Sequence, residues 1–163
     1  MKAARRTFWR GASVRSGELP VEQWQGPPGD QPRVLLECPS HASPSIVAAA
    51  LRQEGFEVAV CEGPQGKSTC ALVRDGSCTL VDGADVVVNL FGIPEQRYVD
   101  ILEGVKRTGA GTPIVVEVPG PEAREHEGTL RGCRVTHPPL GSDALVGHIW
   151  AALEEVQGDT EER

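Results

Sequence analysis

The stretch ADVVVNLFG, residues 84–92, constrains the fold more than any other segment, because it is apolar without alternation. A strand with one wet face alternates apolar and polar side chains. A continuous run is what a strand buried on both faces requires, and that is the position of a central strand in a parallel sheet covered by helices. The flanking sequence fits this. PEQRYVDILEGVKR (94–107) places Tyr98, Ile101, Leu102 and Val105 at i, i+3, i+4, i+7, one face of a helix. Upstream, RVLLEC (33–38) and FEVAVC (56–61) are short apolar runs on either side of SPSIVAAALRQEG. In that helix Ser43 is the expected N-cap and Pro44 the first-turn proline; Ile46, Val47, Ala50 and Leu51 form the expected buried face, and Gly55 the stop. Downstream come a strand at TPIVVEV (112–118), a weak helix at 121–131, a strand at CRVTH (133–137) and a helix at SDALVGHIWAALEEV (142–156). Strand and helix alternate, which predicts an α/β sandwich on a five-stranded parallel sheet.

Residues 62–83 break the alternation. CALVRDGSCTLV holds Asp75-Gly76 between two short apolar runs, a strong hairpin signal, so a β-hairpin or ordered loop is expected there in place of a helix. The same region contains CEGPQGKSTC (61–70), whose Gly66-Lys67-Ser68 has the ending of a phosphate-binding loop. The full motif needs glycine where Cys61 stands, a helix opening at Lys67-Ser68, and an acid for Mg²⁺ at the end of a neighbouring strand. Gly76 and the hairpin signal remove the helix, and the neighbouring strand ends in Asn89. The sequence therefore argues against nucleotide hydrolysis.

The 163 residues are expected to form one domain, residues 33–156, between an extended arm over 1–32 and an acidic tail over 157–163. The arm carries Lys2, Arg5, Arg6, Arg10 and Arg15 ahead of any acid, and its Phe8, Trp9 and Trp24 need something to pack on. Docking on the arm's own domain is the first expectation; a partner surface built on Phe8, Trp9, Arg10 and Trp24 is the alternative. A net charge of −7 argues against nucleic acid as a partner. No run of apolar residues is long enough to cross a membrane. Five cysteines without an apolar leader predict a cytoplasmic protein with reduced or metal-bound thiols.

Three stretches, in this order, resemble a response-regulator receiver domain, the CheY-like member of the flavodoxin-like folds. SIVAAALRQEGFEVAVCEG is similar to the receiver's first helix, turn and second strand, and ADVVVNLFGIPEQRYVDILEGVKR to its central strand, proline loop and third helix. VTHPPLGSDALVGHIWAAL is similar to the end of its fifth strand and last helix. The resemblance implies a three-layer sandwich with strand order 2-1-3-4-5, the 62–83 insertion standing in for the second helix. It also implies sites for an acidic metal pair, a phospho-accepting aspartate, a hydroxyl and a lysine. For the metal pair the sequence offers only Glu37, ahead of Cys38, Pro39 and Ser40; the other positions fall on Asn89 or Leu90, on Val118 and on His137. Phosphoryl transfer needs the nucleophile, the metal acids and the cation together. The resemblance thus implies a pseudo-receiver, a non-catalytic module whose retained property is a surface for another protein, with a homodimer as one form of it. With no further domain in these residues, any signalling output is expected through another chain.

Two alternatives come from the residues themselves. The strand-end rim of an open parallel sheet gathers ligands, and here it presents Cys38, Ser40, His41, Asn89 and His137. These side chains make a small-molecule site conceivable, with Cys38 paired to His41 or His137 as a nucleophile; packing of Cys38 as a small buried hydrophobe is the competing expectation. Cys61, Cys70 and Cys78 crowd the 62–83 segment. Their spacing is not that of a zinc ribbon, and no cofactor is the first expectation. A zinc or iron–sulfur centre with a fourth ligand from elsewhere, or redox sensing, is the alternative.

Overall fold

The computed structural model describes residues 24–161. Its strands are β1 (Arg33–Glu37), β2 (Glu57–Cys61), β3 (Val86–Asn89), β4 (Ile114–Glu117) and β5 (Arg134–Thr136). They form one sheet in the order β2-β1-β3-β4-β5, with every neighbouring pair parallel. All four residues of β3 are buried, as its unbroken apolar run requires of a central strand.

The helices are α1 (Pro44–Gln53), α2 (Ala71–Asp75), α3 (Thr79–Asp82), α4 (Gln96–Thr108), α5 (Gly120–Glu125), α6 (Glu127–Leu130) and α7 (Ser142–Glu161). Side chains alternate across the pleat, so each strand feeds two cores. On one face Val34, Leu36, Val88 and Val115 pack with Ala48 and Leu51 of α1 and with Leu145, Ile149 and Ala152 of α7. On the other, Leu35, Val87 and Val116 pack with Leu72, Leu80, Ile101, Leu102 and Val105 from α2, α3 and α4. Each fully buried Leu or Ile contributes roughly 1.5–3 kcal/mol. That exceeds the roughly 0–1 kcal/mol of an exposed ion pair, so these two layers hold the fold.

The structure corrects the reading of 62–83. No strand forms there; α2 and α3 fill the second crossover as two short helices. Asp75-Gly76 is the end of α2, where Gly76 takes φ 74° and its N–H donates to the Leu72 carbonyl. A left-handed residue serves a hairpin turn and a helix C-cap equally well, and the apolar runs beside it are too short to show their period. Burial of Leu72, Leu80 and Val81 favours helix, since one face then reaches α4.

Smaller differences follow the same logic. Ser43 precedes α1, but it lies at φ 55° after a 3-10 turn over Ser40–Ala42 and its side chain makes no capping hydrogen bond. The buried face of α1 is Pro44, Ala48 and Leu51, and Ile46 is 69% exposed. The weak helix expected over 121–131 is split into α5 and α6, and α7 continues to Glu161, into the segment expected as a tail. No helix among the described residues is long and apolar enough to cross a membrane.

Trp24 docks on its own domain. Its Nε1–H donates to the Leu80 carbonyl at 3.2 Å, and the Arg33 guanidinium lies 5.2 Å from its ring centroid. Phe8, Trp9 and Arg10 lie outside the described residues.

Candidate functional site

The strand ends of β1 and β3 bring together the two polar side chains that interrupt their apolar runs. The register aligns Glu37 with Asn89, so both leave the sheet on the same face. Asn89 Nδ2–H donates to Glu37 Oε2 at 2.7 Å. Glu37 is 3% exposed and Asn89 0%. Burial pushes the Glu37 carboxyl up to about 7, opposed by the Asn89 hydrogen bond. Asn89 Oδ1 is buried with no hydrogen-bond partner among the described residues.

Three thiols border this pair. Cys61 ends β2, and Cys70 and Cys78 stand immediately before α2 and α3, all partly buried against the same core layer. Burial pushes the Cys61 thiol up to about 12; the charges of Glu37, Cys70 and Cys78 add to this and a backbone bond from Gly63 opposes it. The Cys70 thiol is also raised, first by burial, against the opposing backbone bonds of Leu72 and Val73. All five cysteines are free. Among the described residues no group of three or more His, Cys, Asp or Glu is placed to hold a metal ion; Cys61, Cys70 and Cys78 are the ligand set of the metal alternative.

Gly63 lies beside the same corner for a steric reason. It takes φ 82°, and a Cβ there would come within 2.9 Å of the Phe91 ring.

The remaining rim residues do not converge. Cys38 is buried, with Sγ 3.7 Å from the Pro39 carbonyl and 3.8 Å from that of Ala42. Burial, then the charges of Glu62 and Glu117, push its thiol up to about 11, away from the thiolate a nucleophile needs. Ser40 and His41 sit exposed on the 3-10 turn. His137 Nδ1 lies 2.7 Å from the Val118 carbonyl, which can only accept, so that nitrogen carries the proton. Neither histidine is hydrogen-bonded to Cys38. The Gly66-Lys67-Ser68 stretch lies in a loop, and the next helix begins only at Ala71, with five residues. It offers no helix terminus to a triphosphate.

The sequence placed Glu37 and Asn89 at the receiver's phosphoryl-site positions, and Asn89 on the strand-end rim, but not the hydrogen bond that joins them. Its signal was present: a single acid closes RVLLE and a single amide closes VVVN. Joining them required the register between strands far apart in sequence.

A concavity of about 570 Å³ is lined by the α5–α6 segment, by the turn that follows it and by Val135 of β5, and includes Arg124, Glu127, Leu130, Arg131 and Cys133.

No family model and no curated protein matches the sequence. Solved structures do match the fold. The chain is similar to a response-regulator receiver domain (CheY-like) from Methanospirillum hungatei JF-1, with 15% identity and a TM-score of 0.60 over 80% of this chain and 99% of that one. It is similar to the chemotaxis protein CheY4 of Vibrio cholerae, with 17% identity and a TM-score of 0.56 over 75% of this chain and 98% of that one. It is also similar to a streptococcal redox sensor described as evolved from two-component response regulators. There identity is 17% and the TM-score 0.61, over 81% of this chain and 55% of the sensor. The fold is that of CheY-like receiver domains.

Proposed function

We propose that this chain is a receiver-fold regulatory module that acts by binding another protein and does not use aspartyl phosphate. The observation that carries this reading is the closed Glu37–Asn89 pair. At the strand ends where receivers keep their phosphoryl chemistry, a carboxyl group lies buried against an amide. An amide is no nucleophile, and a carboxyl whose charge is opposed by burial is a poor metal ligand. Leu90, the other position for the acceptor, carries no nucleophile either. Its partner-binding role, a cytoplasmic location and a homodimeric form belong to this proposal.

The test is incubation with acetyl phosphate and Mg²⁺ followed by intact mass measurement. The expected outcome is an unmodified chain, and a stoichiometric phosphoprotein would overturn the reading.

A second reading is favoured by the corner formed by Cys61, Cys70 and Cys78 and by the likeness to the streptococcal redox sensor. Oxidation of two of these thiols to a disulfide would tie β2 to α2 or α3 and respond to a thiol oxidant. Burial works against it, because thiol exchange proceeds through the thiolate. On the interaction-module reading, brief treatment of native protein with diamide leaves five titratable thiols. Reversible loss of two, mapped to this corner, would favour redox sensing. Stoichiometric zinc or iron in anaerobically purified protein would favour a metal centre.

A further inference from the structure

Helix α7 reaches past the core that it helps to build. Its apolar line of Leu145, Ile149, Ala152 and Val156 recurs at helical spacing. The first three are buried, whereas Val156 is 40% exposed. Trp150, beside that line, is equally exposed, and its ring centroid lies 4.8 Å from that of Phe56. Ile46, the other large apolar side chain exposed among the described residues, stands in the first turn of α1. Two contacts place this half of α7 at the N-terminal ends of the strands. Phe56 immediately precedes β2, and Glu155 pairs with Arg134, the first residue of β5.

The same end of the helix is acidic. From there α7 carries Glu154, Glu155, Asp159 and Glu161, and no Lys or Arg occurs anywhere in it. Carboxylates at a helix C-terminus oppose its macrodipole, so a cation from elsewhere is favoured there. Of the neighbouring cations, Arg134 is engaged by Glu155 and by His148 Nδ1, and Arg52 of α1 by the Val58 carbonyl. Glu162 and Arg163, which follow α7, add no net charge.

The complement lies in the residues that precede Trp24. The chain enters the described structure at this same end, where Gln25 N–H donates to Glu57, the first residue of β2. Residues 1–15 hold Lys2, Arg5, Arg6, Arg10 and Arg15 with no acid, together with Phe8 and Trp9, and Glu18 and Glu22 come only after them. Reach is ample. The chain from Trp9 to Trp24 can span about 50 Å when extended, and Trp150 and Val156 are about 9 Å apart along the helix.

We propose that residues 1–15 of this chain dock in cis on the C-terminal half of α7. Phe8 and Trp9 cover Trp150 and Val156, and the arginines of the arm meet Glu154 and the carboxylates that follow it. One short segment thus brings both the apolar cover and the positive charge that this end of the helix lacks. The docked arm holds the last turns of α7 and closes this face to other chains. The inference goes beyond the function proposed above and does not depend on it.

Amide hydrogen exchange and the tryptophan indole signals of the full chain read the contact. Phe8→Ala with Trp9→Ala is expected to speed exchange over residues 154–160 at least about tenfold and to move the Trp150 indole signal. Arg5→Glu, Arg6→Glu and Arg10→Glu together are expected to act in the same direction, and about 0.5 M salt to do so in part on the wild-type chain. Val87, buried in β3, is expected to keep its slow exchange throughout, which shows that the domain is intact. Glu154→Arg, an exposed substitution that leaves the arm untouched, reads the contact from the other side and is expected to move the Trp9 indole signal. Exchange over 154–160 that is the same with and without Phe8 and Trp9 overturns the proposal, and so does a Trp9 signal that ignores Glu154→Arg. Protection that falls on dilution also overturns it and assigns the arm to the α7 of a second copy.

Discussion

Glu37→Gln is expected to be more stable than wild type at pH 8 by about 3 kcal/mol and indistinguishable from it near pH 4. In the folded chain burial holds the Glu37 carboxyl at about 7, against an ordinary value of 4.5. The folded state therefore keeps its proton through a range in which the unfolded state has lost it. Below pH 4.5 both states are protonated and the group makes no difference. As pH rises through that window toward 7, wild-type stability falls; above 7 both states are ionised and the penalty stays constant. Glutamine has the same shape, still accepts from Asn89 Nδ2 and does not titrate. Urea midpoints at pH 4, 6 and 8 measure the effect as the difference between the two proteins, which cancels every other titrating group. Parallel midpoints across the range would show that the carboxyl is not held neutral.

The result bears on the proposed function, in which neither the buried carboxyl at the end of β1 nor the amide beside it on β3 takes part in phosphoryl chemistry.

The parts of this molecule that were legible in the sequence are those where burial on both faces or a clean helical period left one solution. Val86, Val87 and Val88 run without a polar residue because both faces of β3 meet helices. Ile101, Leu102 and Val105 are buried as their spacing requires. The parts that were not legible are those where two structures use the same local chemistry. Asp75-Gly76 suits a hairpin or a helix C-cap, and only the packing of Leu72 and Leu80 under α4 decides between them. In α1 the alanines are apolar enough for either face, so the face containing Ile46 looked as good as the face containing Ala48. The Glu37–Asn89 pair and the exposed edge of β5 depend on strand order and register, which join residues far apart in the chain.

Arg33→Ala is expected to cost about 3 kcal/mol, the lower end of what breaking a buried charge pair costs, because the remaining carboxylate keeps some water. The Arg33 side chain is 5% exposed and that of Glu57 20%. Arg33 Nε–H donates to Glu57 Oε2 at 2.8 Å, Nη2–H donates to the Gly26 carbonyl at 2.6 Å, and the guanidinium lies over Trp24. The Glu57 carboxylate also accepts from Gln25 N–H at 3.1 Å. One cation thus fixes the segment entering β1 from three directions. Its loss leaves Glu57 facing the Gln25 amide alone and strips the indole of its cover. Two measurements separate the global effect from the local one. Urea unfolding reports the total loss. Native-state chymotrypsin cleavage at Trp24 reports release of the segment, since the indole is otherwise held by Arg33 and Leu80. Arg33→Ala with Glu57→Gln should recover part of the stability, because the unpaired charge is gone, but none of the protection at Trp24. If cleavage at Trp24 is unchanged in both variants, the bond to Leu80 suffices, and Arg33 acts only on the sheet edge through Glu57.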